Sequence, residues 1–145
     1  MPGVTKNEPP LDREEYGRWR SEAESALASA RREAAADAHN WSCFLAEQAA
    51  QLAMKALLHG LGRGPWGHDL IRLGDEVGRS GIEVTAELQD ALARLSRHYI
   101  PARYPDAHPA GSAASRYRSS DATAAIADAE QVLRFADQSW RSLGG

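Results

Sequence analysis

Between residues 40 and 60 the sequence spells a helix that is apolar around most of its circumference, and this constrains the fold more than any other segment. Phe44, Leu45, Ala49, Leu52, Ala53, Ala56 and Leu57 recur at helical spacing. Asn40 is a suitable N-cap, and Gly60 or Gly62 a suitable end. A helix with so little polar surface has to be wrapped by others, so it belongs at the centre of a helical fold. It is not a membrane span, because Glu47, Gln48, Gln51, Lys55 and His59 interrupt the apolar run.

The helices that would wrap it can be read on either side. Asp12 with Glu15 matches a capping box, and Tyr16, Trp19, Ala23, Ala26, Leu27 and Ala30 then repeat at helical spacing to about Ala36. Gly62, Gly64, Pro65 and Gly67 force a turn. His68, read as a cap, and Asp69 open a short helix to about Val77. Thr85 caps a fourth helix, with Leu88, Leu92, Leu95 and Tyr99 as its buried stripe and Pro101 as its stop. A last helix starts at Ser120 or Asp121 and runs to about Ser142, with Ala122, Ala125, Ile126, Ala129, Val132, Leu133, Ala136 and Trp140 on one face. There is neither strand alternation nor internal repeat. The expected fold class is all-α, an up-and-down bundle of four long helices plus one short helix. The 145 residues suit one domain, expected over 12–143, after a proline-containing flexible leader at 1–11.

A net charge of -3 argues against a protein that coats nucleic acid with its whole surface. Charge is unevenly distributed, however: residues 91–120 hold Arg94, Arg97, Arg103, Arg116 and Arg118 against Asp106 alone. The single cysteine, Cys43, cannot close an internal disulfide and reads as inert core. The first ten residues lack the apolar core of a signal peptide, so the cytoplasm is the default location.

The chemistry lies in that basic segment. Arg103 and His108 pair a permanent cation with the side chain that exchanges protons near neutral pH, within a loop at 101–119 punctuated by Pro101, Pro105, Pro109 and Gly111. Long loops inside a compact domain tend to be functional or disordered. Alternatively, Arg103 pairs with Asp106 or a helix C-terminus and His108 is merely solvated. No metal site is expected, since His39, His59 and His98 lack the spacing of zinc ligands, and no cofactor is expected.

The order of elements, the run from Ala46 to Leu58 and the segment Arg103, Tyr104, Pro105, Asp106, Ala107 together resemble the HEPN family, in its small stand-alone prokaryotic form. The resemblance covers essentially 12–140. It implies a metal-independent ribonuclease whose Arg and His, separated by four to six residues, meet across a symmetric dimer cleft; Arg103 and His108 match the shortest spacing. It further implies the toxin-like half of a toxin-antitoxin pair, held in check by a minimal nucleotidyltransferase, or alternatively a non-catalytic module that binds a nucleotide or a partner. Arg103 and His108 are then the catalytic candidates, and Lys55, Arg97, Tyr104 and Asp106 the candidates for nucleotide or RNA binding. One toxin class has a tyrosine modified by its partner two positions after the histidine. Ala110 stands there in this chain, leaving Tyr104 or Tyr117 as substitutes.

On the central helix, Glu47, Gln51, Lys55 and His59 are spaced by four and form one polar stripe. Either it faces the cleft, with Lys55 on phosphate, or it is a solvent edge held by local ion pairs. Trp19, Trp41 and Trp140 read as packing or interface residues, and Trp66 as a turn anchor.

Overall fold

The computed structural model describes residues 10–145. It contains five α-helices: α1 Arg13–Ala35, α2 His39–Gly60, α3 Leu70–Arg79, α4 Ala86–Ser96 and α5 Ser119–Ser142. No strand occurs among the described residues. The all-helical expectation is met, with α2 central as its composition requires: it packs against α1, α3, α4 and α5. Cys43, Ala46, Ala49, Ala50, Ala53, Met54, Ala56, Leu57 and Leu58 of α2 are all buried. The many alanines let neighbouring helix backbones come close, and longer side chains such as Leu27, Leu73, Leu92 and Val132 fill the space between them.

Several ends differ from the sequence reading, each because a different group makes the bond. Asp12 caps α1, its carboxylate accepting from the Glu15 N–H at 3.1 Å. Glu15 does not reach back to complete a box: the Asp12 N–H donates instead to the Gly60 carbonyl at 2.7 Å. The Glu15 carboxylate accepts from Arg18 and from the Trp19 indole. Helix α2 begins one residue before Asn40, at His39, and Ala38 occupies the cap position without a side-chain bond. Asp69, not His68, caps α3, accepting from the Arg72 N–H at 3.2 Å. Thr85 caps α4 as expected. That helix stops at Ser96, well short of Pro101, and a run of turns carries the chain through 97–103. The 101–119 segment is more structured than a plain loop, with 3-10 turns at Pro105–Ala107 and Ala114–Arg116.

Most of the expected leader, residues 1–9, lies outside the described residues; Leu11 packs half-buried against the core. Trp140 stacks on Tyr16 at 4.2 Å and packs as expected. Trp66 does not anchor its turn, being 74% exposed.

Two side-chain clamps fasten α5 to its neighbours. Arg20 of α1 grips Asp137 through Nε and Nη2 at 2.8 and 2.9 Å, and the Tyr16 hydroxyl donates to the same carboxylate at 2.9 Å. These hydrogen bonds hold the Asp137 carboxyl below the usual carboxylate range. Arg94 of α4 grips Asp128 in the same two-pronged way, at 3.0 and 2.9 Å.

Candidate functional site

The turn that follows α4 carries Arg103 and is pinned to the start of α2. Asn40 is buried in the first turn of α2, and its side-chain N–H donates to the Ala102 carbonyl at 2.9 Å. Ala102 itself is fully buried. Asn40 is therefore not the expected cap but a strut that fixes the backbone beside Arg103.

The Arg103 guanidinium is enclosed by rings. Its central carbon lies 4.3 Å from the ring centroid of Tyr99, 4.5 Å from that of Phe44 and 5.0 Å from that of Tyr104. Such contacts hold a planar cation without consuming its donors. Nε donates to the Tyr99 carbonyl at 2.7 Å, and the terminal amino groups have no hydrogen-bond partner among the described residues. The cluster extends outward, with His68 stacked on Tyr99 at 4.0 Å and Trp41 edge-on to Phe44 at 6.3 Å. The anticipated pairing with Asp106 does not form: Asp106 is exposed in the turn Pro105–Ala107 and makes no ion pair with Arg103. Of the bland alternative, only the bond to a carbonyl beyond the end of α4 is present.

The polar stripe of α2 approaches this cluster at Glu47, on which the charge of Arg103 acts, and ends at His59 against α1. Glu47 is completely buried and Gln51 nearly so, whereas Lys55 and His59 are half-buried. The solvent-edge reading fails for the first two. The Glu47 carboxylate accepts from the Gln51 and Gln48 amides at 2.6 and 2.8 Å. Burial pushes its carboxyl up to about 7, opposed by those two hydrogen bonds and by the positive charges of Arg103 and Lys55. Lys55 is shifted down by burial, with Glu47 acting against the shift. His59 stacks on Trp19 at 4.3 Å and is likewise shifted down by burial; its Nε2 is buried without a partner.

His108 is turned back onto its own loop. Its Nε2 lies 2.7 Å from the Pro101 carbonyl, and its ring meets Tyr117 edge-on at 6.5 Å and 89°. The Tyr117 hydroxyl shares a 2.9 Å bond with Nδ1 of His98. Burial pushes the Tyr117 phenol up to about 12 and His98 down. Within one chain, Arg103 and His108 therefore bond to different groups.

The remaining arginines of the basic segment divide. Arg94 is taken by Asp128, and Arg116 holds the Ala110 carbonyl through Nε and Nη2 at 3.0 and 2.8 Å. Arg97 is exposed and makes no ion pair among the described residues. Of the expected residues, Arg103 and Tyr104 converge, and Arg103 and Lys55 each act through charge on Glu47. Arg97, Asp106 and His108 stand apart. Sequence reasoning missed Phe44, Asn40, His68 and Tyr99 as members of the site, and named Tyr117 only as a substitute for a modified tyrosine; of the four, only Tyr99, four residues before Arg103, had a spacing that could have signalled it.

Cys43 is buried, as expected, and burial pushes its thiol up to about 12. No three metal-ligating side chains gather among the described residues. No described helix is long and apolar enough to cross a membrane. A groove of about 750 Å³ runs along α1, lined by Arg13, Gly17, Arg18, Trp19 and Leu52 among others, and includes none of the residues around Arg103.

Comparison with known proteins follows the same lines. The HEPN domain model matches residues 16–139. Among solved structures, TT1696 from Thermus thermophilus is 35% identical, superposes with a TM-score of 0.83 and covers 86% of this chain and 97% of its own. A HEPN domain protein from Thermotoga maritima, tm0613, is 29% identical with a TM-score of 0.68, over 83% of this chain and 95% of its own. The archaeal HEPN homologue ST0689 is 28% identical with a TM-score of 0.71, over 85% and 95%. Curated proteins give no match. With the helical order, the central α2 and a family match spanning all five helices, the chain belongs to the HEPN domain family.

Proposed function

We propose that this HEPN protein is a metal-independent ribonuclease acting as a homodimer, the toxin-like member of a cytoplasmic toxin-antitoxin pair restrained by a minimal nucleotidyltransferase. The observation that carries the reading is Arg103: a guanidinium fixed between Phe44, Tyr99 and Tyr104, its terminal amino groups without a partner among the described residues. A cation so arranged suits the two oxygens of a phosphodiester, and because it is already ordered it stabilises charge that develops during reaction without reorganising. The 2′-hydroxyl attacks the adjacent phosphorus, His108 handles the proton, and Arg103 balances the growing negative charge. Lys55 adds positive charge beneath the site, while Arg97 and Tyr104 flank the incoming strand and Asp106 orients its sugar.

A second copy supplies the missing convergence of Arg103 with His108. Trp41, Ile100 and Tyr104 are each close to half exposed beside Arg103, a large apolar surface for a lone chain. A two-fold interface there brings each Arg103 toward the His108 of its partner. Bacterial expression of wild type, Arg103→Ala and His108→Ala tests the nuclease reading. Wild type should arrest growth and cleave RNA when purified, with each variant reduced by about a hundredfold or more. Equal growth and no cleavage by wild type would rule it out.

A second reading, a non-catalytic nucleotide- or partner-binding module, is favoured by the separate engagement of the pair within one chain, Arg103 bonding to Tyr99 and His108 to Pro101. Calorimetry with mono- and triphosphate nucleotides separates the two. On this reading Arg103→Ala removes binding and His108→Ala leaves it unchanged.

A further inference from the structure

His108 is held in a way that decides which of its two nitrogens can act. Its Nε2 is 2.7 Å from the carbonyl oxygen of Pro101, and a carbonyl only accepts, so Nε2 carries the hydrogen. Nδ1 has no hydrogen-bond partner among the described residues and is not one of the buried unpaired atoms, which are His39 Nδ1 and His59 Nε2. It is the free, accessible nitrogen of the ring. On another side the ring rests against Tyr117, edge-on at 6.5 Å and 89°. Tyr117 is fixed in turn: its hydroxyl shares a 2.9 Å bond with His98, and the two ring centroids are 5.4 Å apart.

These contacts come from separate parts of the fold. Pro101 follows the turns after α4, His98 lies within them, and Tyr117 directly precedes Arg118, whose N–H is taken by Asp121 at the start of α5. The ring of His108 is thus set between two stretches of chain that are each anchored to a helix. Catalytic histidines in general need one nitrogen pinned so that the other presents a lone pair in a fixed direction. Here the pinning group is a backbone carbonyl rather than a carboxylate.

We propose that Nδ1 of His108 is the proton-transferring atom, and that Tyr117, anchored by His98, is a positioning residue that holds the ring in this tautomer and orientation. The proposal rests on the nuclease reading and specifies its chemistry. The neutral ring enters with hydrogen on Nε2. Nδ1 takes the proton of the 2′-hydroxyl as that oxygen bonds to phosphorus. The bond from phosphorus to the 5′-oxygen breaks, and the leaving oxygen takes a proton from Nδ1 of a protonated His108 ring. The products are a 2′,3′-cyclic phosphate and a 5′-hydroxyl, with no net gain or loss of protons. Throughout, Nε2–H stays on Pro101, whose carbonyl dipole stabilises the ring while it is positively charged.

Long-range proton-nitrogen NMR on the full-length, nitrogen-labelled protein tests this directly, because the two neutral tautomers have distinct nitrogen shifts. Wild-type His108 should appear as the Nε2–H tautomer. Tyr117→Leu should mix the tautomers and lower kcat by about tenfold or more, with KM for RNA within about twofold of wild type. His98→Gln, which keeps the tyrosine ring but loosens its hydroxyl, should fall between them. A wild-type ring carrying its hydrogen on Nδ1 would overturn the assignment, whatever the protein does to RNA. A Tyr117→Leu protein with the wild-type spectrum and kcat would overturn the positioning role. If circular dichroism shows that Tyr117→Leu does not fold, His98→Gln decides, and an unchanged spectrum and kcat there count against the proposal. If wild type cleaves no RNA, the nuclease reading and the proton transfer fall together, while the tautomer of His108 and its dependence on Tyr117 are still decided by the spectra.

Discussion

Glu47 is costly to bury: its carboxyl has no exposed surface, is held by two amides of its own helix and makes no ion pair among the described residues. Burial lifts it from an ordinary value of 4.5 to about 7. Between those values the folded protein holds a proton that the unfolded chain has released. Stability from this group is therefore fullest at low pH, declines as pH rises from about 4.5 to about 7, and is constant above. His59 and His98 act in the opposite sense: burial lowers both, so their contribution is lost as pH falls. The comparison of wild type with Glu47→Gln isolates the carboxyl. Between pH 5 and pH 8 the wild type should lose about 1–3 kcal/mol relative to the variant, read from urea midpoints at several pH values. Parallel curves for the two proteins would show that the carboxyl stays ionised in the fold.

At the scale of elements, the bond from Asn40 to the Ala102 carbonyl joins the first turn of α2 to the turn that carries Arg103. Asn40→Ala leaves a buried carbonyl unpaired and should cost about 1–3 kcal/mol, seen as a lower urea midpoint with an unchanged slope. The same residue illustrates what the sequence could and could not convey. Helical periodicity placed the four long helices and made α2 central, because apolar spacing is a local signal that burial then obeys, and turn and cap signals placed the short α3. Asn40 looked like a cap because caps are read from the few residues around a helix start, whereas its partner is 62 positions away. Arg103 was visible from its neighbours Tyr104, Pro105 and Asp106. Its ring cage was not, since Phe44 belongs to another helix and reads simply as part of an apolar stripe. Pro101 looked like the end of α4 for a similar reason. The helix stops sooner, at Ser96, whose hydroxyl turns back to the Ala93 carbonyl.

For the whole molecule, the issue is whether one copy suffices. Trp41 is 46% exposed next to the Arg103 cluster, edge-on to Phe44. A glutamate in its place would put an unpaired charge at the centre of the proposed two-fold interface, which typically costs several kcal/mol of association. Trp41→Glu should shift the protein from dimer to monomer in light scattering at micromolar concentration and abolish RNA cleavage, with its helix content unchanged by circular dichroism. A Trp41→Glu protein that remains dimeric would place the interface on another face.

Central α2 contributes Phe44 to the cage around Arg103, Asn40 to its backbone support, and the buried Glu47, on which the charge of Arg103 acts. The same helix packs against all four others. The cage around Arg103 is therefore continuous with the helix on which the rest of the fold packs. On the proposed reading, an anion arriving at Arg103 meets a cation already ordered by three rings, so little conformational entropy is lost on binding.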